Sequence, residues 1–166
     1  MTATSPDALE LLDAEHQAVR RLFQEYRELA AHDAPQARRK AMAEQICLEL
    51  IIHAKLEEEL FDPLVRDAIR DDDLMDEAEV EHTAARDLIV QILSMDPHEE
   101  LYDAKVTVLG EYMEHHVREE REQIFPKVRR SGLDLARMGE LLRIRRRELE
   151  AVPEALREEL LVSLMA

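Results

Sequence analysis

The chain has 166 residues with a formal net charge of −16, and 46% of its residues are hydrophobic. A chain this acidic is a poor general binder of nucleic acid or of an anionic membrane surface. With 3 glycines, 4% aromatic residues and one cysteine, the composition also excludes a turn-rich β fold, an internal disulfide framework and a cysteine-rich zinc site. Alanine, leucine, glutamate and arginine dominate instead, and these residues favour helices.

Capping residues divide the chain into five predicted helices and a short C-terminal tail. Acidic residues such as Asp71 and Asp96 mark helix starts, and Ser131-Gly132 marks a helix end. Pro63 lies inside the second helix, which it is expected to kink or to end early. The predicted helices cover about residues 6–32, 35–70, 73–95, 97–130 and 133–150, and a short amphipathic segment follows Pro153.

The short connections between these helices make successive helices antiparallel neighbours. We therefore predict a single all-α domain over residues 1–166. It consists of an antiparallel up-down-up-down four-helix bundle over about residues 6–130 and an additional C-terminal helical extension over about 133–166. No apolar stretch approaches the ~18 residues of a membrane span, and the N-terminus lacks the basic and apolar regions of a secretory signal. A cytoplasmic location is therefore expected, and a homodimer is left open.

Each of the four main helices places one histidine on its apolar stripe, at three- and four-residue steps from apolar neighbours. In the second and fourth helices the histidine is followed, four residues further on, by Glu57 or Glu120. That spacing stacks both side chains on one face of a helix. The four histidines are His16, His53, His82 and His116.

These motifs belong to a weak internal duplication. Residues 15–22 match residues 81–88 at the pattern Glu-His-x-Ala-x-Arg-x-Leu. Each copy is followed by a His-x-x-x-Glu motif and then by a proline, Pro63 or Pro126. Two helical hairpins that face each other would bring the four histidines and the two glutamates to one depth in the core.

The composition of this predicted cluster indicates metal binding. Burying an ionised carboxylate without a partner costs on the order of several kcal/mol, so such a group shifts its pKa or binds a cation. Neither Glu57 nor Glu120 has a lysine or arginine on its own apolar stripe, and the surrounding side chains are imidazoles. Imidazole and carboxylate together suit iron, manganese and zinc. Six ligands exceed the needs of one tetrahedral ion, and they suit two ions bridged by the two glutamates.

Several neighbouring residues have a second interpretation. His115 also precedes a glutamate by four residues, but only His116 and Glu120 continue the apolar stripe of the fourth helix. The basic segment 143–147 is interpreted as a solvated face that balances nearby glutamates, with a partner contact as the alternative. A solvated face, or alternatively a hydrogen bond to a ligand imidazole, is expected for Glu58, Glu59 and Glu119.

The doubled His…His-x-x-x-Glu pattern, over about residues 8–130, resembles the hemerythrin-like family with an HHE cation-binding domain. The resemblance implies a four-helix bundle that holds two non-haem iron ions joined by an oxo or hydroxo bridge, with zinc or manganese as alternatives. Oxygen-carrying members have a second histidine on the third helix, where this chain has Ala78 and Arg86. One ligand fewer leaves a more open iron, which disfavours reversible oxygen carriage. The implied ligands are His16, His53, Glu57, His82, His116 and Glu120.

The resemblance to single-domain bacterial members favours a catalase-like disproportionation of peroxide at this centre. Whether the protein is an enzyme is left open. The alternatives are sensing of iron, dioxygen or nitric oxide, and storage of metal without catalysis. The expected small ligands are dioxygen, peroxide, nitric oxide and azide. Tyr112 and Glu79 are candidate proton donors beside the centre.

Overall fold

A computed structural model describes residues 4–163, which form six helices, here named α1 to α6, and no β-strand. The first four helices form the antiparallel bundle that the sequence predicts, so the all-α fold is confirmed. The helices are α1 (Ala8–Ala31), α2 (residues 36–69), α3 (Asp72–Leu93), α4 (residues 102–130), α5 (Leu135–Glu150) and α6 (Pro153–Ser163).

Side-chain caps explain where several helices begin. The Asp7 carboxylate accepts a hydrogen bond from the Glu10 backbone N–H at 2.9 Å, so α1 begins just after Asp7. Asp71 caps α3 in the same way by accepting from the Leu74 backbone N–H at 3.2 Å. Such caps supply an acceptor to one of the N–H groups that a helix start leaves unpaired.

The predicted start of the fourth helix is wrong by several residues. The helix begins at Tyr102, whereas the sequence predicted a start near residue 97. The Asp96 backbone N–H donates to Glu99 Oε2 at 2.6 Å. Backbone bonds from Glu99 to Asp96 and from Tyr102 to Glu99 then close successive turns. The segment 96–101 is therefore a connection rather than the first turn of α4.

A π-helical turn interrupts both α2 and α4 at equivalent places. These turns, Glu57–Phe61 and Glu120–Ile124, each begin at the glutamate of a His-x-x-x-Glu motif. Each also ends shortly before a proline, which has no N–H to donate to the preceding turn. The expected kink at Pro63 therefore takes the form of a π turn, and the helix continues to Ile69. π turns inside α-helices are frequent at functional sites.

The last two helices pack along the outside of the bundle. α5 contacts α1 and α2, and α6 contacts α2 and α5. Gly139 of α5 lies against the start of α1, where an added Cβ would be 2.9 Å from the Pro6 carbonyl oxygen. The absence of a side chain at this position allows α5 to approach α1 closely. None of the described helices is both long and apolar enough to cross a membrane.

Candidate metal centre

The six side chains predicted from the sequence meet in the interior of the bundle. α1 and α3 each contribute one histidine, and α2 and α4 each contribute a histidine and a glutamate. Glu57 is fully buried, and Glu120 is only 1% exposed. The potential ligand atoms form two groups that share both glutamates, and within each group all atoms lie within 4.8 Å of one another.

The first group lies between α1, α2 and α4. His16 Nε2 is 3.1 Å from His53 Nε2 and 3.3 Å from Glu120 Oε2. It is also 3.9 Å from Glu57 Oε1, which His53 Nε2 contacts directly. Two imidazole nitrogens and one oxygen from each carboxylate thus surround a single point.

The second group repeats this arrangement between α2, α3 and α4. His82 Nε2 is 3.2 Å from His116 Nε2 and 3.3 Å from Glu57 Oε2. His116 Nε2 lies 2.7 Å from Glu120 Oε1 and 3.5 Å from Glu57 Oε2. The two oxygens of each carboxylate therefore face different histidine pairs, as bridging carboxylates do.

The carboxylate oxygens of this cluster lack ordinary hydrogen-bond partners. Both oxygens of Glu57 and Oε2 of Glu120 are fully buried, and the side-chain atoms that face them are the Nε2 atoms of the cluster imidazoles. Buried polar atoms are otherwise almost always hydrogen-bonded, and unpaired buried carboxylates are costly. Imidazole nitrogens beside such oxygens form a donor set that suits transition-metal ions. The residues of this cluster therefore fit metal ions.

Glutamates outside the cluster orient its imidazoles. Glu15 Oε2 accepts a hydrogen bond from His53 Nδ1 at 2.8 Å, and Glu81 Oε2 accepts from His116 Nδ1 at 3.2 Å. Each bond fixes the proton on Nδ1 and leaves Nε2 free for a metal ion. These roles were not predicted from the sequence. The signal was present, because a glutamate precedes the histidine in both copies of the duplicated motif.

The C-terminal helix α5 contacts this outer layer. Arg146 Nη1 lies 2.5 Å from Glu15 Oε1, and Nη2 lies 2.6 Å from Glu49 Oε2. Arg145 forms a similar pair with Glu59 at 2.8 Å. The basic segment thus balances glutamates as predicted, but it does so across helices, and only 25% of the Arg146 side chain is exposed.

The charges of the cluster shift the pKa values of its groups in opposite directions. Burial by itself lowers the pKa of an imidazole, but Glu57 and Glu15 raise that of His53 to about 10. Burial is likewise outweighed at His82, where Glu57 and Glu58 raise the pKa to about 9. Despite its burial, Glu57 has a pKa well below its usual value because His53 and the other imidazoles surround it. Without metal, protonated imidazoles therefore balance the carboxylates.

Asp62 is a titratable group beside the cluster that was not predicted from the sequence. Burial and the negative charge of Glu57 raise the pKa of its carboxyl group to about 8. Asp62 and His82 line the same cavity, which has a volume of about 500 Å³. The duplication gave no indication of this residue, because Phe125 stands at the equivalent place in the second copy.

The two candidate proton donors lie in different surroundings. Tyr112 is 44% exposed and lines a cavity of about 260 Å³ together with His53, His82 and His116. The Glu79 side chain is 78% exposed and lies 3.8 Å from Arg66 Nη2. Glu79 is therefore on the surface, outside the cluster of histidines and glutamates.

The expected solvated face of α2 and α4 is only partly present. Glu58 and Glu59 are exposed and form ion pairs with arginines, and Glu58 Oε1 also lies 3.6 Å from His82 Nδ1. The prediction is wrong for Glu119, whose side chain is only 8% exposed. Burial and the neighbouring Glu81 raise the pKa of Glu119 to about 7.

Comparison with known proteins identifies the family to which the chain belongs. Residues 7–128 match the Hemerythrin HHE cation binding domain, and the chain therefore belongs to this family. It is similar to the crystal structure of a Hemerythrin HHE cation binding domain-containing protein from Mycobacterium kansasii, a homolog of Rv2633c, with 23% identity and a TM-score of 0.67. The match covers 98% of this chain and 94% of that chain, and it shows a shared fold. No curated protein matches the sequence at a significant level.

Proposed function

We propose that the chain is a non-haem diiron protein that reacts with small oxygen species, foremost with peroxide. The observation that carries the proposal is the pair of ligand groups that share Glu57 and Glu120. A single ion needs no second group of imidazoles, whereas two adjacent ions need shared carboxylates between them. Membership of a cation-binding family supports metal binding independently of this geometry.

In this proposal each residue of the cluster has a distinct role. His16 and His53 hold one ion, His82 and His116 hold the other, and the carboxylates of Glu57 and Glu120 bind both. Glu15 and Glu81 keep the Nδ1 protons in place and so direct Nε2 of His53 and His116 inward. When bound, two iron ions would supply the two-electron redox chemistry that peroxide disproportionation requires.

Access to the cluster supports a reaction with a small external molecule. The cavity that Tyr112 lines reaches three of the four histidines, and the cavity that Asp62 lines reaches His82. At the positions where oxygen carriers have a second histidine, α3 offers the inner centre no ligand. Ala78, which is buried, has only a methyl group, and Arg86 forms an ion pair with Glu58. Peroxide can therefore approach on the His82 side. Zinc or manganese in place of iron and a cytoplasmic location stay predictions from the sequence, and a homodimer stays open.

The proposal is tested by metal analysis and an optical spectrum of protein made in iron-supplied cells and purified without chelator. We expect two iron ions per chain and a spectrum that changes when azide is added. His53→Ala and Glu57→Ala should each lose metal, whereas His98→Ala, at an exposed position outside the cluster, should retain it. Fewer than one metal ion per wild-type chain would contradict the proposal. Two iron ions without peroxide consumption would favour sensing or storage instead.

A further inference from the structure

A third group of potential metal ligands lies on the outer side of the candidate centre. It consists of Glu81 on α3 and of His115 and Glu119 on α4. His115 Nε2 is 3.4 Å from Glu81 Oε1 and 3.7 Å from Glu119 Oε2. The imidazole is 66% exposed, so an ion can reach this cluster directly from solvent.

The distances match those between neighbouring ligands of one ion. Zinc binds imidazole nitrogen and carboxylate oxygen at about 2.0–2.2 Å, so two ligands of a tetrahedral ion lie about 3.3 Å apart. Neither His115 pair exceeds this separation by more than a few tenths of an ångström. The three side chains therefore need little rearrangement to bind one ion.

The internal duplication shows that these residues replace apolar ones. In the first copy, the residues equivalent to His115 and Glu119 are Ile52 and Leu56, both only 1% exposed. The second copy thus has an imidazole and a carboxylate, four residues apart, where the first copy has two packed aliphatic side chains.

The same comparison shows that the second copy lacks a basic side chain beside its glutamate. Glu15 in the first copy is neutralised by Arg146, whereas its equivalent, Glu81, forms no ion pair with any lysine or arginine among residues 4–163. The Glu119 side chain is only 8% exposed, and its Oε1 has no hydrogen-bond partner in the described chain. Two adjacent carboxylates, one of them buried with an unpartnered Oε1, thus lie beside a single exposed imidazole.

We propose that Glu81, His115 and Glu119 form a third metal site, which takes a divalent transition ion such as Zn²⁺. Two carboxylates and one imidazole leave the remaining positions of the ion to water, as in open zinc sites. Glu81 also accepts the hydrogen bond from His116, so the third site adjoins the inner centre through one residue. Its ligands are otherwise separate from the six inner ones.

In the test, the protein is first stripped of metal, then loaded with Zn²⁺ and passed through a desalting column. The zinc ions that stay bound to each chain are then counted. We expect three ions per chain for the wild type and one fewer for His115→Ala and Glu119→Gln. His98→Ala is the matched control, since it removes an exposed histidine outside all three groups and should change nothing. An equal zinc count for the wild type and His115→Ala would overturn the proposal.

A second variant separates this inference from the proposed function. His53→Ala should lose inner zinc but keep the ion that His115 binds, so adding His115→Ala to it should remove one further ion. Replacing zinc by Co²⁺ gives an independent readout, because the His115→Ala substitution should by itself remove the visible absorption of the outer ion. If the double variant and His53→Ala bind the same amount of metal, the third site does not exist, whatever the inner site binds.

Discussion

At the scale of single residues, hydrogen bonds to Nδ1 set the direction of the ligand imidazoles. Glu15 both accepts from His53 and pairs with Arg146, so its carboxylate is held on two sides. We expect Glu15→Gln to weaken metal binding by about 10- to 100-fold, the usual effect of losing such a partner. Competition with a coloured chelator measures this change. Glu25→Gln, at an exposed position on the same helix, should leave affinity unchanged.

Asp62 is placed to supply a proton on the His82 side, because its carboxyl group lines the same cavity. Asp62 and the predicted donor Glu79 both line the cavity that contains His82, but the Glu79 side chain is 78% exposed beside Arg66. The pKa of Asp62, in contrast, is raised to about 8 by burial and by the charge of Glu57. We expect Asp62→Asn to retain both inner ions but to slow peroxide consumption about tenfold or more, as loss of a general acid does. Glu79→Gln is the matched control and should retain the wild-type rate. An unchanged rate in Asp62→Asn would exclude this role.

The sequence made the six cluster residues predictable because two regularities coincide there. Helical periodicity places His16 and His82 on apolar stripes, and the duplication repeats each motif. Asp62 obeys neither rule, since its equivalent is Phe125. The sequence predicted a solvated Glu119, because a glutamate next to a ligand position is usually exposed. Its burial becomes evident only from the packing of α3 against α4.

At the scale of helices, the π turns are the feature that the sequence only partly indicated. Pro63 predicted an interruption, but a proline does not reveal whether the helix stops, bends or widens. In both copies the widened turn begins at the carbonyl of the cluster glutamate, to which the backbone N–H of Asp62 or Phe125 donates. The interruption therefore lies immediately after Glu57 and Glu120 and leaves the His-x-x-x-Glu spacing itself α-helical.

Helix α5 stabilises the candidate centre from outside the bundle. Arg146 joins it to α1 through Glu15 and to α2 through Glu49, and its side chain is three-quarters buried with 25% exposure. We expect Arg146→Ala to lower the melting temperature of the metal-free protein and to weaken metal binding, because Glu15 loses its second partner. Arg147→Ala, which changes an exposed arginine next to it, should alter neither. Thermal melts and chelator competition distinguish the two variants, and equal behaviour would contradict this role of α5.

At the scale of the whole molecule, metal removal should make stability depend on pH. The pKa of His53 rises from 6.5 to about 10 on folding, and that of His82 rises to about 9. A raised imidazole pKa contributes stability that is fully present below about pH 6.5 and is lost as the pH rises through 9 and 10. Glu57 stays ionised in this range, because its pKa is lowered.

The metal-bound protein should not show this loss, because metal ions take the place of the imidazole protons. We therefore expect the difference in melting temperature between metal-bound and metal-free protein to grow as the pH rises from 6.5 to 9. Thermal melts with and without chelator, in buffers of equal ionic strength, measure that difference. A difference that is constant or shrinks with pH would mean that the imidazoles are neutral in the metal-free protein.

The last prediction concerns the reaction of the iron-loaded protein. We expect it to disproportionate peroxide, releasing one dioxygen and two waters for every two peroxides consumed, and not to carry dioxygen reversibly. Reversible carriage needs a site closed to water and protons. Here two cavities, of about 260 and 500 Å³, reach His82, and Ala78 and Arg86 supply no further ligand on α3. An oxygen electrode records the release, with His82→Ala expected to abolish it. A stable, reversible oxygen spectrum without release would identify a carrier.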